Sequence, residues 1–70
     1  MKESEVTLGF RVKFLRKKKG FSQAKFSRLV GLNRSFLSKI ESNKDDNITF
    51  STIKKICYGL DMSLRNFFDY

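Results

Sequence analysis

Apolar residues recur along the chain every three or four positions, between short polar or glycine-containing breaks, and this rhythm predicts helices throughout. Leu8, Val12 and Leu15 mark the core face of a first helix, about Leu8 to Lys18. Thr7 is its cap and Gly20 its end. Ser22 caps a second helix from Gln23 to Val30, in which Phe26 and Val30 share a face. Asn33 caps a third, from Arg34 to Ser42, with Phe36, Leu37 and Ile40 on one side and Arg34, Ser35, Ser38, Lys39 and Ser42 on the other. Thr49 opens a fourth, Phe50 to about Gly59, whose buried side is read as Phe50, Ile53, Ile56, Cys57 and Leu60. Asp61 suits a left-handed turn, Met62 fills the core, and Ser63 caps a last short helix carrying Leu64, Phe67 and Phe68. Met1 to Glu5 reads as a short frayed arm and Asn43 to Asn47 as a polar loop. The expected architecture is all-α, a compact bundle of about five helices in a single domain over residues 1–70.

The stretch Ser22 to Ser42 organises the rest. Two short amphipathic helices meet at Gly31, which can adopt a left-handed conformation at no Cβ cost and so end the first of them. Ser27, four residues earlier, is small where the helices approach, and Leu32 turns back between them. This is a helix-turn-helix. Phe10 and Phe14 fit no core stripe; the C-terminal helix is expected to cover them, the alternative being an exposed partner surface.

Composition narrows the function. The net charge is +8, and no Asp or Glu occurs between Val6 and Ile40. Basic charge concentrated on a helix-turn-helix is what attraction to phosphate requires. The chain has no His and one Cys, so neither a structural zinc site nor an internal disulfide is expected, and no cofactor is called for. Cys57 lies on an apolar face with no activating base, so it reads as a small core residue and no enzymatic activity is expected. No apolar run approaches a membrane span and no leader-like segment follows Met1, so the chain is expected in the cytoplasm, away from membranes.

The stretch resembles the helix-turn-helix of the phage-repressor-like Cro/C1 (XRE) regulators, with a lambda-repressor-like fold. The resemblance runs from about Leu8 to Phe68. It includes Leu15, Arg16, Lys19, Gly20, Ser22 and Gln23, then Ile40 and Glu41, then Leu60, Ser63, Leu64, Phe67 and Phe68. Leu32 to Ser38, with Asn47, Ile48 and Thr49, looks most like restriction–modification controller proteins. Lys25 stands where the family often has Glu, and Ile48 where it often has Pro. The resemblance implies a salt bridge between Arg16 and Glu41, and a homodimer on a palindromic operator in double-stranded DNA. No small-molecule ligand is expected.

In such a complex the third helix enters the major groove and the start of the second sits on the backbone. Arg34, in the first turn of the third helix, is the expected principal base reader, because a guanidinium can donate two hydrogen bonds to guanine. Lys39, Ser35, Ser38 and Asn33 are the further candidates. Gln23, Lys25, Ser42, Asn43 and Lys44 are expected on phosphates. The chain has more aromatic surface than its small core needs, so Tyr58, Phe67 and Tyr70 are expected at a dimer contact. An antitoxin or antirepressor acting through protein contacts is the alternative on the same fold.

Overall fold

The computed structural model describes residues 7–44 and 48–70. Five helices follow one another: α1 (Leu8–Lys18), α2 (Gln23–Val30), α3 (Arg34–Glu41), α4 (Phe50–Leu60) and α5 (Leu64–Phe67). No strand occurs among the described residues. The expected arm Met1 to Glu5, and Asp45, Asp46 and Asn47 of the polar loop, lie outside them.

Every helix starts on a side-chain cap. The Thr7, Ser22, Asn33, Thr49 and Ser63 oxygens accept backbone N–H groups of Phe10, Lys25, Ser35, Thr52 and Asn66. Four helices end alike. A left-handed residue, in turn Gly20, Gly31, Asn43 and Asp61, follows the helix. The next N–H then reaches back to a carbonyl of the last turn, as from Phe21 to Arg16, Leu32 to Ser27, Lys44 to Lys39 and Met62 to Cys57. After α1, α2 and α4 the reaching residue is apolar and packs onto the core. After α3 it is the exposed Lys44. Gly31, at φ 72°, is where this geometry most needs glycine, since it turns α2 into α3.

The core is Val12, Leu15, Phe26, Val30, Leu37, Ile40, Ile56, Cys57, Leu60 and Phe67, with Leu8, Phe21, Leu32, Phe36, Ile48, Ile53, Met62 and Leu64 packed against it. Helices α1 and α2 both pack on α3, while α4 closes the other side of α2. Gly9 permits a close approach to the backbone of α3. A Cβ there would overlap the Ile40 carbonyl oxygen at the end of α3. The Gly9 N–H also donates to Asn43 Oδ1 at 3.2 Å.

Three expectations about packing are corrected. Phe67 is fully buried within the monomer, so it cannot face a second subunit. Phe50 is 61% exposed, with the Lys54 ammonium beside its ring. It opens α4 at the flank of the apolar stripe, and Thr52 is buried instead. Phe10 and Phe14 are not covered by the C-terminal helix. Helix α5 spans four residues, and Arg11 holds it beside α1 by donating from Nε to the Phe67 carbonyl and from Nη2 to the Asn66 carbonyl, both at 2.9 Å.

Candidate nucleic-acid interface

The site rests on a buried ion pair. Arg16 Nε and Nη2 donate to the two Glu41 carboxylate oxygens at 2.7 and 3.0 Å, a bidentate arrangement that ties α1 to α3. Arg16 Nη1 donates to the Phe21 carbonyl at 2.6 Å, and Gln23 Nε2 donates to Glu41 Oε1 at 3.0 Å. Both charged side chains are buried, at 6% and 3% exposure, and among the described residues no buried polar side-chain atom lacks a partner. The pair expected between Arg16 and Glu41 is therefore present. Gln23 extends it into α2, a link that sequence reasoning missed. The network fixes the start of α2 against the end of α3.

With its apolar side packed inward, α3 presents Arg34, Ser35, Ser38 and Lys39 to solvent. These four and Gln23 line one shallow groove between α2 and α3. The structure thus gathers four of the five expected base readers. Asn33 is set apart, because its Oδ1 accepts from the Ser35 N–H at 2.8 Å and is used in capping.

The expected phosphate contacts divide by geometry. Lys25 and Lys44 are exposed, on the first turn of α2 and just beyond α3. Gln23 stands at the first helical position of α2, where backbone N–H groups without intrahelical partners attract an anion. Asn43 gives its side-chain oxygen to Gly9, and its amide donors are not used in that bond. Ser42 departs from expectation: its hydroxyl donates to the Ser38 carbonyl at 2.8 Å and its N–H to the same oxygen. No Ser42 proton is left for a phosphate in this arrangement.

The electrostatics have one sign. Among described residues up to Lys44 the only acid is Glu41, and Arg16 neutralises it. Lys13, Lys17, Lys18, Lys19, Lys25, Arg28, Arg34, Lys39 and Lys44 are all exposed on the same α1–α3 unit. Cys57 offers no chemistry here. Burial pushes its thiol pKa up, which disfavours the nucleophilic thiolate. No group of described His, Cys, Asp and Glu could hold a metal ion, and no described helix is long and apolar enough to cross a membrane.

A family model described as a helix-turn-helix domain matches residues 9–68. The chain belongs to this helix-turn-helix family, of the Cro/C1 (XRE) type. It is 34% identical over 62 residues to the HTH-type transcriptional regulator SinR of Bacillus subtilis (strain 168), covering 89% of this chain and 56% of SinR. The chain thus spans about half the length of that relative. It is 33% identical over 69 residues to the control protein C.MunI of a Mycoplasma species, covering 97% of this chain and 92% of C.MunI. Among solved structures, SinR in complex with DNA superposes with a TM-score of 0.83 at 33% identity, covering 90% of this chain and all of that one. The restriction–modification controller protein C.AhdI from Aeromonas hydrophila gives 0.82 at 34% identity, covering 87% and 91%.

Proposed function

We propose that this protein is a sequence-specific, double-stranded-DNA-binding transcriptional regulator of the restriction–modification controller type, acting as a homodimer on a palindromic operator. The observation that carries the reading is the groove of Gln23, Arg34, Ser35, Ser38 and Lys39, set in a surface with no exposed acid on the described part of α1–α3. In this reading α3 lies in the major groove, and the start of α2 rests on the sugar–phosphate backbone. Arg34 reads a guanine through two guanidinium N–H groups, and Lys39, one turn on, is the second reader. Lys25, Lys44 and the first N–H groups of α2 hold phosphates. Similarity to C.MunI over nearly the whole of both chains supports the controller type, and similarity to SinR bound to DNA supports the docking surface.

Tyr58 and Tyr70 are the remaining candidates for the dimer contact, at 81% and 51% exposure. Tyr70 also has the Arg11 guanidinium over its ring, 5.4 Å from the centroid.

The test is binding selection on randomised duplexes. Arg34→Ala relaxes selection at one base position per half-site, worth about 1–3 kcal/mol, and leaves the other positions sharp. A uniform loss of affinity with every position still specified would move Arg34 to the backbone. Sedimentation with operator DNA tests the dimer, and a single monomer bound per palindrome would defeat it.

A further inference from the structure

Helix α1 carries an apolar face that the fold does not use. Val12, Leu15, Gly9 and Arg16 turn inward toward α3 and α4. Phe10 and Phe14, one turn apart, point the opposite way and are 44% and 48% exposed. Their rings lie side by side, centroids 6.3 Å apart and planes 12° from parallel. Helical spacing puts Lys17 in line with the rings one turn on, and Lys13 and Lys18 on the two flanks. Lys18 Nζ lies 5.9 Å from the Phe14 ring centroid. No acid occurs anywhere on this helix. A scattered surface Phe needs no explanation, but a paired one rimmed by a single sign of charge marks a contact surface.

We propose that this face docks an acidic amphipathic helix of a partner protein. Two apolar anchors of that helix straddle Phe10 and Phe14, while its carboxylates meet Lys13, Lys17 and Lys18. Charge decides the occupant. A second copy packing through this same face would set lysines against lysines, with no carboxylate on α1 to intervene. A bilayer surface would use an apolar stripe along a whole helix, whereas here two rings on adjacent turns stand on an 11-residue helix fixed by its other side. Because α3 packs on the opposite side of α1, the groove of Arg34 and Lys39 stays open while the partner is bound. The inference goes beyond the DNA-binding reading and does not depend on it.

The test uses the full chain and three probes. One is a synthetic helical peptide with Leu at i, i+3, i+4 and i+7 flanked by Glu. The second is the same peptide with Lys in place of Glu. The third is vesicles of phosphatidylcholine and phosphatidylserine in equal parts. The acidic peptide is expected to shift amide resonances of Phe10, Lys13, Phe14, Lys17 and Lys18, and the basic peptide to shift none. Phe10→Ser with Phe14→Ser should weaken binding about tenfold or more. Lys13→Glu with Lys17→Glu should weaken it comparably while keeping both rings. Shifts centred on α3, equal binding of both peptides, absence of binding, or tighter capture by the vesicles that depends on the two Phe residues would each overturn the proposal. So would conversion of a dimer to a monomer by the double Phe replacement.

Discussion

Helices α3 and α1 put opposite relations between pattern and burial side by side. In α3 the apolar residues turn inward, Leu37 and Ile40 fully and Phe36 partly, and everything outward is polar. Packing accounts for one side and leaves the other as a wholly polar surface. In α1 three aliphatic residues turn inward, Val12 and Leu15 fully and Leu8 partly, and two aromatic ones turn outward. Packing accounts for three of the five apolar residues and leaves the two aromatic ones over. Where pattern and burial coincide, the residue left over is polar and its role is read from its charge. Where they part, the residue left over is apolar, and its explanation lies outside the monomer.

The contact between the two helices is the most sensitive place to break the comparison. Glu41→Ala leaves the buried Arg16 guanidinium without its carboxylate and should cost about 3–5 kcal/mol in urea denaturation. A small domain has roughly 5–15 kcal/mol in total, so the variant sits near the edge of folding. A loss below about 1 kcal/mol would mean that the pair behaves like an exposed one. Replacing both partners with apolar residues, Arg16→Met with Glu41→Leu, should recover much of the loss, because no buried charge is then left alone.

Gly9→Ala attacks the same contact without touching charge. The added methyl would overlap the Ile40 carbonyl, and backbone cannot step aside as a flexible side chain can. Overpacking of this kind costs about 1–3 kcal/mol, with each kcal/mol lowering Tm by roughly 4–8 °C in a domain of this size. An unchanged Tm would show that the approach of α1 to α3 is looser than the structure has it.

These two sites also mark what the sequence made legible. Caps and left-handed turns depend on neighbours along the chain, so Thr7, Ser22, Asn33, Gly31, Thr49, Asp61 and Ser63 could be assigned from local chemistry. The groove followed as well, because burying Leu37 and Ile40 fixes where Arg34, Ser38 and Lys39 point. Long-range bonds could not be read in this way. Arg11 on the α5 carbonyls, Asn43 on Gly9 and Gln23 on Glu41 join residues 56, 34 and 18 positions apart. The glycines within α1 and α4, Gly9 and Gly59, are the available hints of close approach, since glycine weakens a helix. Periodicity also gives a face without saying what covers it. That is why the pattern alone puts Phe10, Phe14 and Phe50 under cover, and Phe67 on a dimer surface that it cannot reach.

On the functional side of α3, Lys25 tests whether the surrounding charge acts on the DNA backbone. It sits in the first turn of α2, where a positive charge opposes the helix dipole unless an anion is near. Lys25→Ala should weaken all duplexes alike and reduce the salt slope of binding by about 0.9, the share of one phosphate contact. An unchanged slope removes Lys25 from the interface.

The smallest expected effect is on the outer face of α1. Phe10→Ser with Phe14→Ser removes two large rings, a change that costs several kcal/mol in a core. Here both rings are about half exposed and lie opposite the buried side. Ser and Phe have nearly equal helix propensity, so the helix itself is little affected. What is lost is the contact between the rings and with Lys18, in water and therefore weak. Stability should move by no more than about 0.5 kcal/mol, as for ordinary surface positions. Phe36→Ser on α3 is the internal control, because Phe36 packs against the core and its loss must cost more. Equal losses for the two faces would show that Phe10 and Phe14 serve the fold after all, and the difference between α1 and α3 would disappear.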